Sequence, residues 1–477
     1  MNVLSSRGGV VGPSAKQSVV VAGAFVLFVV TAGAMPASAR PRTLKAAALV
    51  SSLKTRGLVL SDVVVTGRLD LRPLLEVRRP FVCHRCVFTG RVLAADVVFR
   101  RTVDVSGSRF ERGLSMPRAV FEEMALFGAE FDRPVDFSLA TFDDLASFED
   151  ASFGRSAAFS LTRFRGGAVF ADAELDGSAQ FVRTSFTRPA DFRDADFEGP
   201  ATFERADFAD RSAFANATFA AAADFQDVTL EGTADFVGAV FGGVGPGYPT
   251  SFERLVAAGD VDFDSAEFDG RASFKNVLGR TALSLRSLTL SRNYLLNFDS
   301  ASALEFSMDV DQSLAAVRPA DREHVLGLIE DGAKRTGDLT VANEAHYELE
   351  VLRSRRYRWP RRVLDVVAYR TVAGYLVRPL QPLGFLLGLA AVVALVRAAA
   401  HAARPLRMSI RRAHRGVPRV LHEFLDALAL IGPRRAEDTA TDVRRIEAAV
   451  YRVLLACALI GLANSNPTLR QMFDALL

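Results

Sequence analysis

Apolar positions along the chain fall into a register that is neither helical nor flat. From Phe131 onward the bulky centres stand at 131, 137, 142, 148, 153, 159, 164 and 170, then at Leu175. They continue at 181, 186, 192, 197, 203, 208, 214, 219 and 225, then Leu230, then 236 and 241. The steps alternate six and five, a period of 11 residues. Two residues before most centres stands a small residue, as at Ala140, Ala151, Ala179, Ala201 and Ala217. Such steps would scatter around a helix axis. In a strand of period two, each odd step would invert the face. A coil with about four short faces per turn keeps every centre inside, each face pointing one bulky and one small residue inward. Two units then make a turn of about 22 residues, stacked at the strand spacing of about 4.8 Å. That object is a quasi-one-dimensional solenoid.

The triplets Ala195-Asp196-Phe197, Ala206-Asp207-Phe208 and Ala223-Asp224-Phe225 resemble the pentapeptide-repeat family. Its unit reads Ala, then Asp or Asn, then Leu or Phe, then any two residues. The chain departs from it by one extra residue in every second unit. The resemblance implies an all-β right-handed quadrilateral β-helix, here in a wider variant. It implies no established activity.

Both ends of a solenoid expose unpaired strand edges and need covers. Residues 43–56 read as a short helix, with Thr43 as N-cap, Leu44, Ala47, Ala48 and Leu53 apolar, and Gly57 as the stop. From Val59 to Val98 the repeat is looser, and it settles into 11-residue steps at Phe88, Phe99, Phe110 and Phe121. The Phe register ends near Phe274, and Leu283, Leu285, Leu288 and Leu290 read as the last coil. Helical periods follow from Arg318 to Arg335 and from about Thr340 to Tyr357, with a break at Gly337-Asp338.

The flanks point to a membrane. Arg7 and Lys16 precede an apolar core from Val19 to Val30, and Ala37-Ser38-Ala39 offers a cleavage site before Arg40. This is the pattern of a secretory signal peptide. Left uncleaved, the segment would be an anchor and the solenoid would still be exported. Pro379 to Val396 carries no charge, and Ala448 to Ala463 is interrupted only by Arg452. The first, of 18 residues, is a short but adequate span, and Arg452 in the second stands near enough to its end to snorkel. Trp359, Tyr369 and Tyr375 sit among arginines before the first, as at a membrane interface. Between the two runs, Arg397 to Arg445 holds eleven Arg against five acids. Val417, Val420, Leu421, Phe424, Leu428 and Ile431 share one helical face there, the pattern of an interfacial helix. The positive-inside bias agrees with a cytosolic loop and an extracytoplasmic solenoid.

The expected organisation is a signal peptide (1–39), an N-terminal capping helix (40–57), the solenoid (58–300) and a helical hairpin (301–360). An interfacial segment with the first transmembrane helix (361–399), a basic cytoplasmic loop (400–445) and the second transmembrane helix with a short tail (446–477) follow. The pattern of Ala342-Asn343-Glu344-Ala345-His346-Tyr347, Arg378-Pro379-Leu380 and Ala463-Asn464-Ser465-Asn466-Pro467 resembles the membrane region that accompanies some pentapeptide-repeat proteins. Some of those relatives carry a potassium-channel-like filter; this chain has no Thr-x-Gly-Tyr-Gly.

Candidate chemistry is sparse. Cys83-His84-Arg85-Cys86 is a CxxC. The register puts Cys86 in a small inward slot, where it reads as filler; a disulfide and a metal site are the alternatives. One pair supplies only two ligands, and Cys457 lies in an apolar stretch far away. His84 then faces outward. The histidines at 324, 346, 401, 414 and 422 share no metal-ligand spacing. No GxSxG, Walker or GxGxxG context appears. The run from Gly242 to Pro249 lies between Phe241 and Phe252, and it reads as an irregular corner that replaces one inward slot. No catalytic, cofactor or metal residue is assigned.

Charge is uneven: residues 101–300 carry 19 basic and 32 acidic residues, a net −13, although the whole chain is +3. The expected function is a non-enzymatic, membrane-anchored rod that displays an acidic extracytoplasmic surface to a protein partner. A duplex-DNA mimic that binds topoisomerases is the alternative suggested by the acidic rod, although nucleic acid itself is not an expected partner. A channel or transporter accessory subunit is a third reading, with Asn464 and Asn466 as its polar residues and homo-oligomerisation as its requirement.

Overall fold

The computed structural model describes residues 42–243, 249–290 and 294–357, together with eight isolated positions between 384 and 452. Apart from those eight, the expected signal peptide, both expected spans and the basic loop lie outside the described residues. Among the described residues no helix is long and apolar enough to cross a membrane.

One turn shows why the register alternates. Glu130–Phe131 lies on the first face, Val135–Asp136 on the second, Thr141–Phe142 on the third and Ala146–Ser147 on the fourth. Ser152–Phe153 returns to the first face, paired in parallel one turn above Glu130–Phe131. Each face is a triplet such as Ala140-Thr141-Phe142, whose outer two residues are buried and whose middle residue is partly exposed. The corners alternate: Ser138-Leu139 has two residues, and Asp143-Asp144-Leu145 has three. A triplet plus a short corner makes the five-residue step, and a triplet plus a long corner makes the six. The extra residue per 11-residue unit is therefore a corner residue.

The two-residue corners are β-turns whose second residue is left-handed. Ala140 N donates to Phe137 O at 2.9 Å across Leu139, which has φ +63°. The same conformation recurs at Asp150, Leu161, Asp172, Arg183, Asp194 and Arg205. Asp and Asn tolerate it better than Leu or Arg. The three-residue corners instead need close approach: a Cβ on Gly199 would lie 2.2 Å from Gly177 O of the turn below.

Turns pair through three parallel sheets of 12, 11 and 21 strands. The largest covers the third and fourth faces, because Leu278–Leu285 and Ser302–Met308 run across the corner between them. Inside, the Phe rings form ladders. Phe159, Phe181, Phe203, Phe225, Phe252, Phe274 and Phe298 stack in order on the second face at 4.8–5.1 Å. The fourth-face ladder meets it edge-on, with Phe192 and Phe203 at 5.5 Å and 89°. Each fully buried ring contributes about 1.5–3 kcal/mol from area alone, and edge and offset-stacked geometries add to that.

Three expectations are corrected. First, Phe252 takes a full inward slot: it stacks on Phe225 at 5.1 Å. The run from Gly242 to Pro249 therefore replaces no slot. It lengthens its corner, so that Ala223 pairs with Thr250, 27 residues on, where Ala201 pairs with Ala223, 22 on. The coincidence that 11 is also two ordinary steps hid this. Second, the coils run past Leu290. Leu295–Asn297 and Ser302–Met308 add strands to the second face and to the third and fourth faces, and Phe298 closes its ladder. Third, Arg42–Lys45 is a strand, paired with Val63–Thr66, and Thr43 caps no helix. The free edge of the first face outbids helix formation there. Helix α1 spans Ala46–Thr55 and buries Ala46, Leu49 and Leu53.

The carboxy-terminal cover is α2 (Val310–Ala316), α3 (Arg322–Thr336) and α4 (Leu339–Ser354). Its side chains complete the last coil's hydrogen bonds. Asp309 accepts from Ser287 N at 2.9 Å, and Gln312 Nε2 donates to Leu288 O at 3.0 Å. Buried Asp321 accepts from Phe298 N at 3.0 Å while Arg318 forks onto its carboxylate. His324 Nε2 sits 2.6 Å from Ala301 O.

Candidate functional site

The CxxC closes a corner. Cys83 occupies a bulky inward slot of the fourth face and Cys86 the small inward slot of the first, on either side of the turn His84-Arg85. Both are fully buried, and they are joined as a disulfide. The filler reading of Cys86 is thereby corrected: the two inward slots that flank a two-residue corner stand side by side, at a distance a disulfide spans. Ser108, one turn on, donates to Cys83 O at 2.6 Å and accepts from Cys86 N at 2.9 Å. Arg85 forks onto Asp62, and this holds the Asp62 carboxyl below its usual range. His84 points outward and sits 2.7 Å from Asp104. Neither sulfur is exposed, and the disulfide staples the corner.

Outward side chains pair at the coil spacing. Arg118 forks onto Asp96, Arg165 meets Asp143 at 2.9 Å, and Arg254 meets Asp227 at 2.6 Å. Arg100 bridges Glu76 and Glu122. Three carboxyls have the opposite environment. Burial pushes Asp207, Asp224 and Asp262 up. Around Asp224 the charges of Glu204, Asp227 and Glu253 add to it, against a hydrogen bond from Gln226 N. They face outward in separate coils, and their closest charged neighbours are mostly other carboxylates: Glu231 for Asp207, Glu204, Asp227 and Glu253 for Asp224, and Asp264 and Asp235 for Asp262.

The remaining histidines stay apart. His324 serves the cap, and His346 Nδ1 lies 3.0 Å from buried Glu330, which Lys334 also meets at 2.5 Å. His401, His414, His422, Cys457, Asn464 and Asn466 lie outside the described residues, as do residues 244–248 of the Gly-rich corner. Among the described residues no group of three or more His, Cys, Asp or Glu converges to hold a metal ion.

A concave surface lies where the solenoid meets its cover. A cleft of about 840 Å³ opens between the last coils of the fourth face and the helices α2, α3 and α4. Asp260, Asp262 and Glu305 stand on the solenoid wall. Asp309, Asp311, Asp338 and Glu344 stand on the helical wall. Phe306, Met308, Val310 and Ile329 supply apolar lining. Periodicity could not reveal this site, because it joins residues from Asp260 to Glu344 through the docking of the cover.

Among known families, the chain matches pentapeptide repeats (9 copies) over residues 126–174 and 181–229. These coils are pentapeptide repeats. No curated protein and no solved structure matches the chain. The matched stretch is the most regular part of the solenoid. It stops short of both ends, where strand lengths and corners vary: the disulfide corner at 83–86 and the cleft lie beyond the matched pentapeptide repeats.

Proposed function

We propose that this chain is a non-enzymatic, membrane-anchored scaffold whose pentapeptide-repeat solenoid stands on the extracytoplasmic side and binds a protein partner. The observation that carries the compartment is the Cys83–Cys86 disulfide. Disulfides persist in oxidising compartments and are rare in the cytosol. The apolar segment at 19–30 with its Ala37-Ser38-Ala39 site supports the same address. The charge-free run 379–396 and the run 448–463 would hold the rod to the membrane, with the Arg-rich stretch between them in the cytosol. Interaction is the natural use of a rigid stack whose inward residues are committed to packing and whose outward residues are free to vary.

The test is protease accessibility in intact cells. The solenoid should be cut from outside, the full-length protein should resist carbonate extraction, and its mature amino terminus should be Arg40. A Cys introduced at Gly416 should be shielded from an impermeant thiol reagent. A protected solenoid would move the rod to the cytosol and favour the duplex-mimic reading, which needs it there.

A further inference from the structure

The cleft between the last coils and the helical cover has a chemistry that its own residues do not satisfy. Seven carboxylates line it, and Arg286 is its one Lys or Arg. Arg286 is spoken for: its guanidinium forks onto Asp264, at 2.9 and 2.6 Å. Among the described residues none of the seven lining carboxylates lies in an ion pair. Several are instead held by backbone N–H groups. Asp260 accepts from Ala282 N at 3.1 Å, and Asp262 accepts from Asp264 N at 2.8 Å. Asp338 caps α4 through Thr340 N and Val341 N. These bonds fix the carboxylates in place, and the one lining cation whose charge reaches them, Arg286 acting on Asp262 and Asp309, is shared with Asp264. A second observation is independent of charge. Gln312, on the cleft wall, donates its Nε2 to Leu288 O, while its Oε1 is buried and has no protein partner. An acceptor desolvated without a donor costs free energy until one arrives.

We propose that this cleft is a docking site for an extended basic peptide segment of a partner protein, whose Lys or Arg side chains meet the carboxylates and whose N–H groups supply a donor to Gln312 Oε1. The inference rests on the scaffold reading and names where and by what chemistry the scaffold binds. A single metal ion does not fit, because no three carboxylates converge. Dispersed charges suit a ligand that carries several cations at intervals. Partly exposed Ala282 and Val341 on the cleft walls offer apolar contact to the aliphatic stems of those side chains. The volume lies within the range of about 300–1,000 Å³ typical of ligand clefts, room for a few side chains of a peptide.

The test is fluorescence anisotropy with the full-length purified protein and a labelled peptide alternating Lys and Leu, with a Gln-for-Lys peptide as control. Binding should weaken steeply with salt. The double variant Asp311→Asn with Glu344→Gln neutralises two exposed lining charges without touching the core, and it should weaken binding by about tenfold or more. Asp150→Asn with Asp194→Asn, on corners of the regular coils, should bind as wild type. Gln312→Leu should weaken the peptide while leaving its salt dependence unchanged. Equal affinity of the cleft double variant and wild type would overturn the site while leaving the scaffold reading intact, since the peptide would be held elsewhere on the rod. Equal affinity for the Gln control would overturn the charge argument. Displacement by spermine at the same charge concentration would overturn the peptide assignment in favour of a free polyamine. A solenoid protected from external protease would remove the scaffold reading itself, whatever the peptide does.

Discussion

Replacing Phe203 by Ala removes a ring from the middle of the second-face ladder. Phe203 is fully buried. Its ring lies 4.8 Å from Phe181 below and 4.8 Å from Phe225 above, at interplanar angles of 2° and 6°. Phe192 and Phe214 meet it edge-on, each at 5.5 Å and 89°. The stacked backbones are held by parallel pairing on every face, so the neighbouring coils cannot close over the void. Truncation of a buried Phe under such conditions costs about 3–5 kcal/mol. For a body of about 300 residues that is a fall of roughly 5–8 °C in melting midpoint. Phe203→Asp should be worse, because it buries an unpaired charge between coils. Glu204→Lys is the matched control one residue on. Glu204 stands on an outward corner, partly exposed, in an ion pair with Arg205 at 3.1 Å, and its loss should stay within about 0.5 kcal/mol. Thermal melts followed by far-ultraviolet circular dichroism measure all three. A midpoint for Phe203→Ala within 2 °C of the control would refute the inward register and with it the four-ladder core.

Three further outcomes follow from the same geometry. Cys83→Ala with Cys86→Ala should lower stability by about 2 kcal/mol, the chain-entropy value for so short a ring, and alkylation without reductant should leave both cysteines of the native protein unlabelled in a mass spectrum. Leu161→Asn should raise the melting midpoint slightly, by about 0.5–1 kcal/mol of stability, because Leu161 is exposed at φ +61° and Asn tolerates that conformation better. Asp224→Asn keeps the acceptor for Gln226 N and should stabilise at pH 7: the folded pKa is raised, so the wild-type carboxyl costs stability as pH rises through that value, and the gain should vanish in denaturation curves taken below pH 4.

The coils were legible because every inward slot repeats. An Ala-x-Phe triplet is the same physical object at Ala140 and at Ala201, and one strong period overrides local ambiguity. The corner insertion was not legible, since Phe241 and Phe252 stay 11 apart whether a slot is lost or a corner grows. Only the pairing of Ala223 with Thr250 separates the two cases. Thr43 misled for a different reason. Local capping preference favours a helix start there, but the unpaired edge at Val63–Thr66 offers backbone hydrogen bonds that a helix would leave unmade. The disulfide was an open alternative that the corner geometry decides. The cleft left no trace in the sequence, because its two walls are brought together only when α3 docks on Ser302–Met308 and α4 packs on α3.

The same division explains where a partner can act. In the pentapeptide-repeat coils the outward charges face neighbours one turn away, and opposite signs at that spacing satisfy each other, as Asp96 does with Arg118 and Asp143 with Arg165. A partner must compete with those pairs, and exposed pairs of this kind contribute little beyond local neutrality. At the carboxy-terminal end the periodicity stops, the next turn is replaced by helices, and carboxylates lose the position at which a cationic neighbour would have stood. Asp260 and Asp262 share the cleft with Asp309, Asp311 and Glu344, and Arg286, its one Lys or Arg, is forked onto Asp264. The cleft thus joins seven carboxylates, none in an ion pair among the described residues, to a concave surface, and the proposed docking of a basic chain rests on those two features together.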